Sequence, residues 1–252
     1  MNILGIVSND LIKISDYITS DGYKRICNEN LGVRHIQCIE EFESLCSDEV
    51  GVYLGHVDIN QLIYSGFSLE GKRIYSSNVP IHKPNLIPIP KPFLRTKKEM
   101  AFAIEKNRSV PKDKLCAYIP HICIHPIEKE IFEVAAKKLD FISFHLQASY
   151  WDILPVIARY KYVICPPSVT CDNRFAWAAL YLGTIPIVLK KRGYDSFSPL
   201  PILVIQQWSD LTEDKLIKRA ELLEKQVFDY DKLTMSYWEN LIVEDVKRLN
   251  NG

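Results

Sequence analysis

An excess of charge of either sign is missing from this chain. Lys+Arg and Asp+Glu both number 31, so the formal net charge is zero. A general nucleic-acid binder carries a basic excess, so that class is set aside. Long apolar runs are missing too: none reaches the roughly 18 residues of a membrane helix. Residues 2–7 read as an apolar strand, not as the charged start and apolar core of a signal peptide. The seven cysteines stand at 27, 38, 46, 116, 123, 165 and 171, an odd number without a CxxC. That pattern points to a reduced, cytoplasmic compartment, not to a disulfide framework. Also missing are GxxxxGK(S/T), GxGxxG and GxSxG, the usual phosphate, dinucleotide and hydrolase signatures. His121 and His125 straddle a strand end and Pro126, so they lack the helix that HExxH geometry needs, and no metal is expected. No internal repeat or low-complexity tract stands out.

What remains is ordinary globular composition, 47% hydrophobic and 25% charged over 252 residues. That length suits one large domain or two small ones. The most informative stretch is 161–190. Residues 161–165 form a short apolar run that reads as a buried strand. Pro166 and Pro167 end it, because proline cannot donate to a ladder. Residues 168–173 are a polar loop, and 174–182 are rich in Ala and Leu and suit a helix. Asp172 or Asn173 is placed to cap it. Gly183 ends it, since glycine enters the left-handed conformation without cost. Residues 184–189 read as a second buried strand. Together they make one βαβ unit, whose loop lies outside the carboxyl end of the first strand, where open α/β sheets bind ligands.

The rest of the chain repeats this alternation. Strands are expected at 2–7, 33–39, 50–54 and 72–76, with helices at 11–18, 40–46 and 59–64 between them. Five prolines between 80 and 92 favour an extended edge strand and linker. A helix is expected around 98–105. Further strands are expected at 115–119, 141–144 and 201–205, with helices at 126–139, 151–160, 211–228 and 233–249. The expected fold is therefore α/β, with two Rossmann-like domains facing a cleft. The boundaries fall at 1–94 and 95–229, with 230–252 as a last helix crossing back to the first domain.

The stretch from about 114 to 212 resembles the nucleotide-sugar half of exostosin-like glycosyltransferases of the GT-B type, including compact forms from large DNA viruses and bacteria. The resemblance rests on Pro166, Pro167, Asp172, Arg174, Trp177, the run 179–183 (ALYLG) and the run 185–188 (IPIV). A second match runs over 200–205 (LPILVI) and Trp208-Ser209, similar to the family's LPVLIVDDWS. The chain departs from the pattern at Phe175, where many members carry a basic residue, and at Ala178, where they carry an acidic one. The resemblance implies transfer of a sugar from a nucleoside-diphosphate donor, commonly UDP-linked, to a hydroxyl of a glycan acceptor. Pentose and hexuronic-acid transferases occur among the relatives, so UDP-xylose is one candidate donor. The donor is a substrate; no other cofactor is implied. For a viral chain the compartment would be the host cytoplasm. The alternative is a catalytically inactive relative that binds a glycan or a partner transferase. An unrelated doubly wound nucleotide-binding regulator is a further rival.

Such a transferase must hold a diphosphate and neutralise the charge that grows on it. Helix N-termini and Lys or Arg can do this without a metal. Ser168, Thr170, Asp172, Asn173 and Arg174 line the loop and helix start. Arg174 can grip a phosphate with two parallel hydrogen bonds. Asp172 either caps the helix or meets a ribose or sugar hydroxyl. Lys190 ends the next strand beside the same crevice, though a lysine there is also ordinary solvated surface. His145 ends the preceding strand within reach of a base or ribose. An inverting enzyme also needs a base, which this fold usually supplies from a strand end of the first domain. Asp10, His56 and Asp58 are the candidates; Asp10 is equally a helix cap, and His56 equally a turn histidine. The acceptor, the stereochemistry and the oligomeric state are not written in these residues.

Overall fold

The computed structural model describes residues 16–37, 40–46, 48–54, 72–77, 79, 83–92, 94, 96–119, 129–131, 133–134, 139–145, 149–166, 173–190, 194–223 and 225–251. Among them lie two all-parallel sheets. The first holds β1 (Val33–Ile36), β2 (Val50–Tyr53), β3 (Arg73–Ser76) and β4 (Leu86–Pro88), side by side in chain order. The second holds β5 (Lys114–Tyr118), β6 (Ile142–Phe144), β7 (Tyr160–Ile164), β8 (Ile185–Leu189) and β9 (Leu203–Ile205), in the order β6-β5-β7-β8-β9. The helices with described bounds are α1 (Ser20–Glu29), α2 (Glu40–Glu43), α3 (Lys97–Asn107), α4 (Tyr150–Ala158), α5 (Arg174–Tyr181), α6 (Glu213–Leu223) and α7 (Met235–Asn250), and residues 129–131 and 133–134, within the helix expected at 126–139, are helical too. The chain is thus α/β with two Rossmann-like sheets, as its alternating pattern predicts.

Side-chain alternation along the strands divides the core. Val50, Val52 and Tyr75 face one side of the first sheet, and Ile36, Tyr53 and Ile74 the other. In the second sheet Ala117, Val163 and Val188 face one side, and Tyr118, Tyr162 and Ile187 the other. The first-named faces of both sheets belong to one continuous apolar cluster, which also takes in Met100, Trp177 and Trp238 from the helices between them. Period-two strands buried on both faces are what a parallel sheet covered by helices requires.

Several ends have clear local causes. Thr96 and Glu99 form a reciprocal capping box that starts α3 one residue before the expected span. Gly183 sits at φ +68°. Behind it, Thr184 N–H donates to Ala179 O at 2.8 Å and Gly183 N–H to Leu180 O at 3.1 Å, which closes α5 with the expected glycine stop. Pro186 lies in an interior strand yet breaks no described ladder bond. It precedes the point where β9 joins, since that pairing begins at Ile187 and Leu203.

The N-terminal expectation needs correction. A helix is expected over 11–18; residues 11–15 lie outside the described residues, but after a 3-10 residue at Asp16 the chain is not helical, and Tyr17 forms an isolated bridge with Thr234. The helix begins at Ser20 because Thr19 caps it, its hydroxyl accepting from Gly22 N–H at 3.0 Å. The helix expected to run to 160 stops at Ala158, since Tyr160 already belongs to β7. The helix expected over 211–228 covers only Glu213–Leu223. The strand expected at 2–7 and the helix expected at 59–64 lie outside the described residues.

The last helix packs on α1, β1 and β2. Asp245, 5% exposed, accepts from Arg73 Nε at 2.7 Å and from the Tyr75 hydroxyl. Arg25 grips Glu239 at 3.2 and 2.6 Å. Ile18 N–H donates to the Tyr181 hydroxyl at 3.1 Å, and that hydroxyl donates to Leu233 O. No described helix is long and apolar enough to cross a membrane.

Candidate functional site

The second sheet changes direction once. From β5 the chain steps to β6 on one side, and from β6 it returns to β7 on the other side of β5. Open α/β sheets bind ligands outside the carboxyl ends of the strands at such a point. Here that is the crevice beyond Tyr118 and Ile164. Cys165 N–H still bonds to Ile187 O at 2.9 Å, so the sheet holds firm up to the rim. The chain then turns out through Pro166 and returns at Asn173 to begin α5.

Asn173 is the joint of this rim. Its Oδ1 accepts from Phe175 N–H at 2.9 Å, which makes it the N-cap of α5. Its Nδ2 donates to Pro166 O at 2.7 Å, and its backbone N–H donates to the Tyr194 hydroxyl at 3.1 Å. The residue is 4% exposed. These bonds tie the end of β7, the start of α5 and the turn after β8 into one unit. Of the two cap candidates it is Asn173 that caps, and its amide is committed to shaping the loop.

Arg174 follows as the first residue of α5 and is half-buried. Burial pushes its pKa below the ordinary value, but a guanidinium stays cationic at any physiological pH. It stands where the helix N-terminus presents backbone N–H groups and a partial positive charge. Lys190 is the first residue beyond β8 and is exposed. Two cations therefore flank the carboxyl ends of neighbouring strands β7 and β8.

His145 follows β6, and its N–H donates to Tyr118 O at 3.1 Å. Its Nε2 lies 2.7 Å from the Tyr160 hydroxyl, and the two rings meet edge to face at 5.4 Å. Tyr160 opens β7, so the ring leans back along the sheet. Burial foremost, then the charges of Lys114 and Arg159, push its pKa below the ordinary value and keep it neutral at pH 7. Asp10, His56, Asp58, Ser168, Thr170 and Asp172 lie outside the described residues.

The sequence reading did not single out Tyr194, whose hydroxyl takes the Asn173 N–H. Its ring stacks obliquely near Trp177 at 6.0 Å, and Trp177 meets Phe197 at 4.6 Å. The available signal was a pair of aromatics spaced three apart just after a basic run. The rim of the first sheet was also missed. Ser77, just past β3, is 2% exposed, and its hydroxyl has no partner among the described residues. Lys91, just past β4 and between two prolines, is 6% exposed. A lysine set into a proline-rich apolar run was the clue there. Among the described residues, no group of three or more His, Cys, Asp or Glu side chains gathers in a way that could hold a metal ion.

Comparison with known proteins adds little. No family model matches the chain, and no curated protein matches it. Among solved structures it is similar to one described as "Crystal structure of GtfA/B complex", at 10% identity and a TM-score of 0.28. That likeness covers 83% of this chain and 56% of the other, so this chain spans little more than half its length.

Proposed function

We propose that the protein is a metal-independent glycosyltransferase of the GT-B type. It moves a sugar from a UDP-linked donor to a hydroxyl of a glycan. The observation that carries this reading is the joint of Asn173 and Arg174 at the switch point of the second sheet. A diphosphate there would meet helix N–H groups, the Arg174 guanidinium and the Lys190 ammonium. Donors held in position before charge develops on a leaving group are the effective kind, which supports this reading. A base for the acceptor hydroxyl would come from the first-sheet rim, with Asp10, His56 and Asp58 as candidates.

A panel of UDP, GDP, ADP, CMP and UDP-sugars tests this by thermal shift, with and without EDTA. A ligand that binds only the folded state raises the midpoint by mass action. UDP or a UDP-sugar is expected to raise it equally in EDTA, and Arg174→Ala to abolish the rise. No rise with any nucleotide at millimolar concentration sinks the reading.

One observation favours a second reading, a non-catalytic relative that binds a glycan or partner protein. Phe175 is 3% exposed and Ala178 0%. The helix face at the two departures from the family pattern is therefore core. In that case glycans shift the midpoint and nucleotides do not.

A further inference from the structure

A groove of about 460 Å³ opens between the edge strand β4 and the last helix α7. That volume is within the range of small-ligand sites. One wall is Pro84 and β4 itself; the other is Tyr237 and Leu241. Ser196, in the turn that follows β8, closes one end. The groove therefore reaches the same β8 turn that supplies Tyr194 to the Asn173 joint.

Its chemistry is one-sided. Among the described residues Lys83 and Lys232 line it and no carboxylate does, although the charge of Asp229 reaches Lys232 and those of Asp229 and Asp231 reach Tyr237 from beyond the rim. Lys232 Nζ donates to Ser196 O at 2.8 Å and to Ser198 O at 2.7 Å. An ammonium has three N–H donors, so one remains, aimed by the other two. Lys83 makes no side-chain hydrogen bond or ion pair among the described residues.

The strand wall rules out an added peptide strand. In a parallel pair alternate residues bond the neighbour. Asn85 and Ile89 do so with β3, which turns Leu86 and Pro88 outward. Leu86 N–H is already bonded to Lys83 O at 3.0 Å, and Pro88 has no N–H. Lys83 and Leu86 face each other in an antiparallel bridge, so that part of the edge is paired within the chain, and beyond it Pro88 offers a carbonyl acceptor without a donor. The edge can accept from a hydroxyl group there but cannot continue a ladder.

We propose that this groove binds a carboxylate-bearing saccharide. Its ring would lie against Pro84 and the Tyr237 ring, a hydroxyl would donate to the Pro88 carbonyl, and its carboxylate would meet Lys232 and Lys83. The role as acceptor subsite rests on the glycosyltransferase reading; the binding itself does not.

The test is titration calorimetry on the whole protein with no nucleotide present, using trigalacturonate, maltotriose and poly-glutamate as probes. Trigalacturonate is expected to bind and to weaken with added salt. Lys83→Gln and Lys232→Gln should each weaken it about tenfold. Tyr237→Ala should weaken it while leaving the Lys232 carbonyl contacts intact. It thereby separates lost binding from a disturbed Ser196 turn, and melting of each unliganded variant checks its fold. Maltotriose and poly-glutamate are expected not to bind. Equal binding of maltotriose removes the charge argument, and equal binding of poly-glutamate removes the saccharide. Silence from all three probes, or full affinity in the variants, overturns the site. Because no nucleotide is used, failure here leaves the donor test untouched, and the reverse holds as well.

Discussion

Lys112 sits 9% exposed beneath the second sheet. Its ammonium donates to Ala158 O at 3.0 Å, to Leu182 O at 2.9 Å and to Thr184 Oγ1 at 2.9 Å. The two carbonyls close α4 and α5, so one cation serves the negative ends of two helices. Burial nevertheless pushes its pKa from 10.5 down to about 8. Between those values the unfolded chain binds more protons than the folded one. Stability therefore rises as pH climbs through that window, and the burial penalty is fully present below it. Buried thiols and phenols such as Cys116 and Tyr181, whose pKa values burial raises, pull stability down over the same range, so in urea unfolding across pH 7.5 to 10.5, the upper bound being the ordinary lysine value, the rise should appear as a pH-dependent difference between the wild type and Lys112→Met. The substitution also orphans two buried carbonyls. It is expected to cost roughly 2 kcal/mol at neutral pH. A stability difference between the two that stays constant across this range would refute the assignment. Thr184 is the silent partner, its hydroxyl donating onward to Ile157 O at 2.8 Å. Nothing in the sequence pairs a lysine at 112 with helix ends some 46 and 70 positions later. Such long-range polar joints depend on where packed elements end, which local patterns do not encode.

At the scale of the element, α5 was the most legible part of the chain. Its alanine-rich span, its glycine stop and a capping Asp or Asn were all visible. Gly183→Ala should cost about 1 kcal/mol, because a Cβ is strained at φ +68°. Gly183→Asn should recover part of that loss, since Asn tolerates the left-handed region better. Equal stability of all three in urea would mean that the turn rearranges instead. The choice between Asp172 and Asn173 was beyond the sequence. It is made by Pro166 O and the Tyr194 hydroxyl, partners 7 and 21 residues away. The end of the expected helix, at 17–18, fails for the same reason. Residues 16–18 read as the end of a helix over 11–18, but Tyr17 pairs with Thr234 and packs edge to face on Tyr181 at 5.5 Å. Tertiary partners there outweighed local propensity. Strand spans were read within a residue or so in most cases, because alternation and proline punctuation are local signals.

At the scale of the whole molecule, the two sheets share one apolar core. One apolar cluster runs from Val52 and Tyr75 in the first sheet to Val163 and Val188 in the second. The last helix carries it across, with Trp238 and Ile242 in the cluster and Asp245 anchored to β3. A shared core of this kind makes the sheets unfold together, so the wild type is expected to melt in a single transition. Far-ultraviolet circular dichroism and tryptophan fluorescence should then coincide. Two resolved transitions would contradict it. Asp245→Ala leaves the Tyr75 hydroxyl buried without its acceptor and the Arg73 guanidinium without its carboxylate. Breaking a buried pair costs several kcal/mol, and Arg73, 29% exposed, softens that loss. A loss of roughly 3 kcal/mol is expected. Asp245→Asn, which keeps an oxygen for Tyr75, should lose less. If Asp245→Ala splits the melt in two while the wild type melts once, the anchor on β3 is what couples the sheets. If the variant still melts once at a lower temperature, the apolar cluster alone suffices. Either way, relative motion of the sheets would require part of that cluster to open. Hydrogen exchange in α7 is the place to look for it.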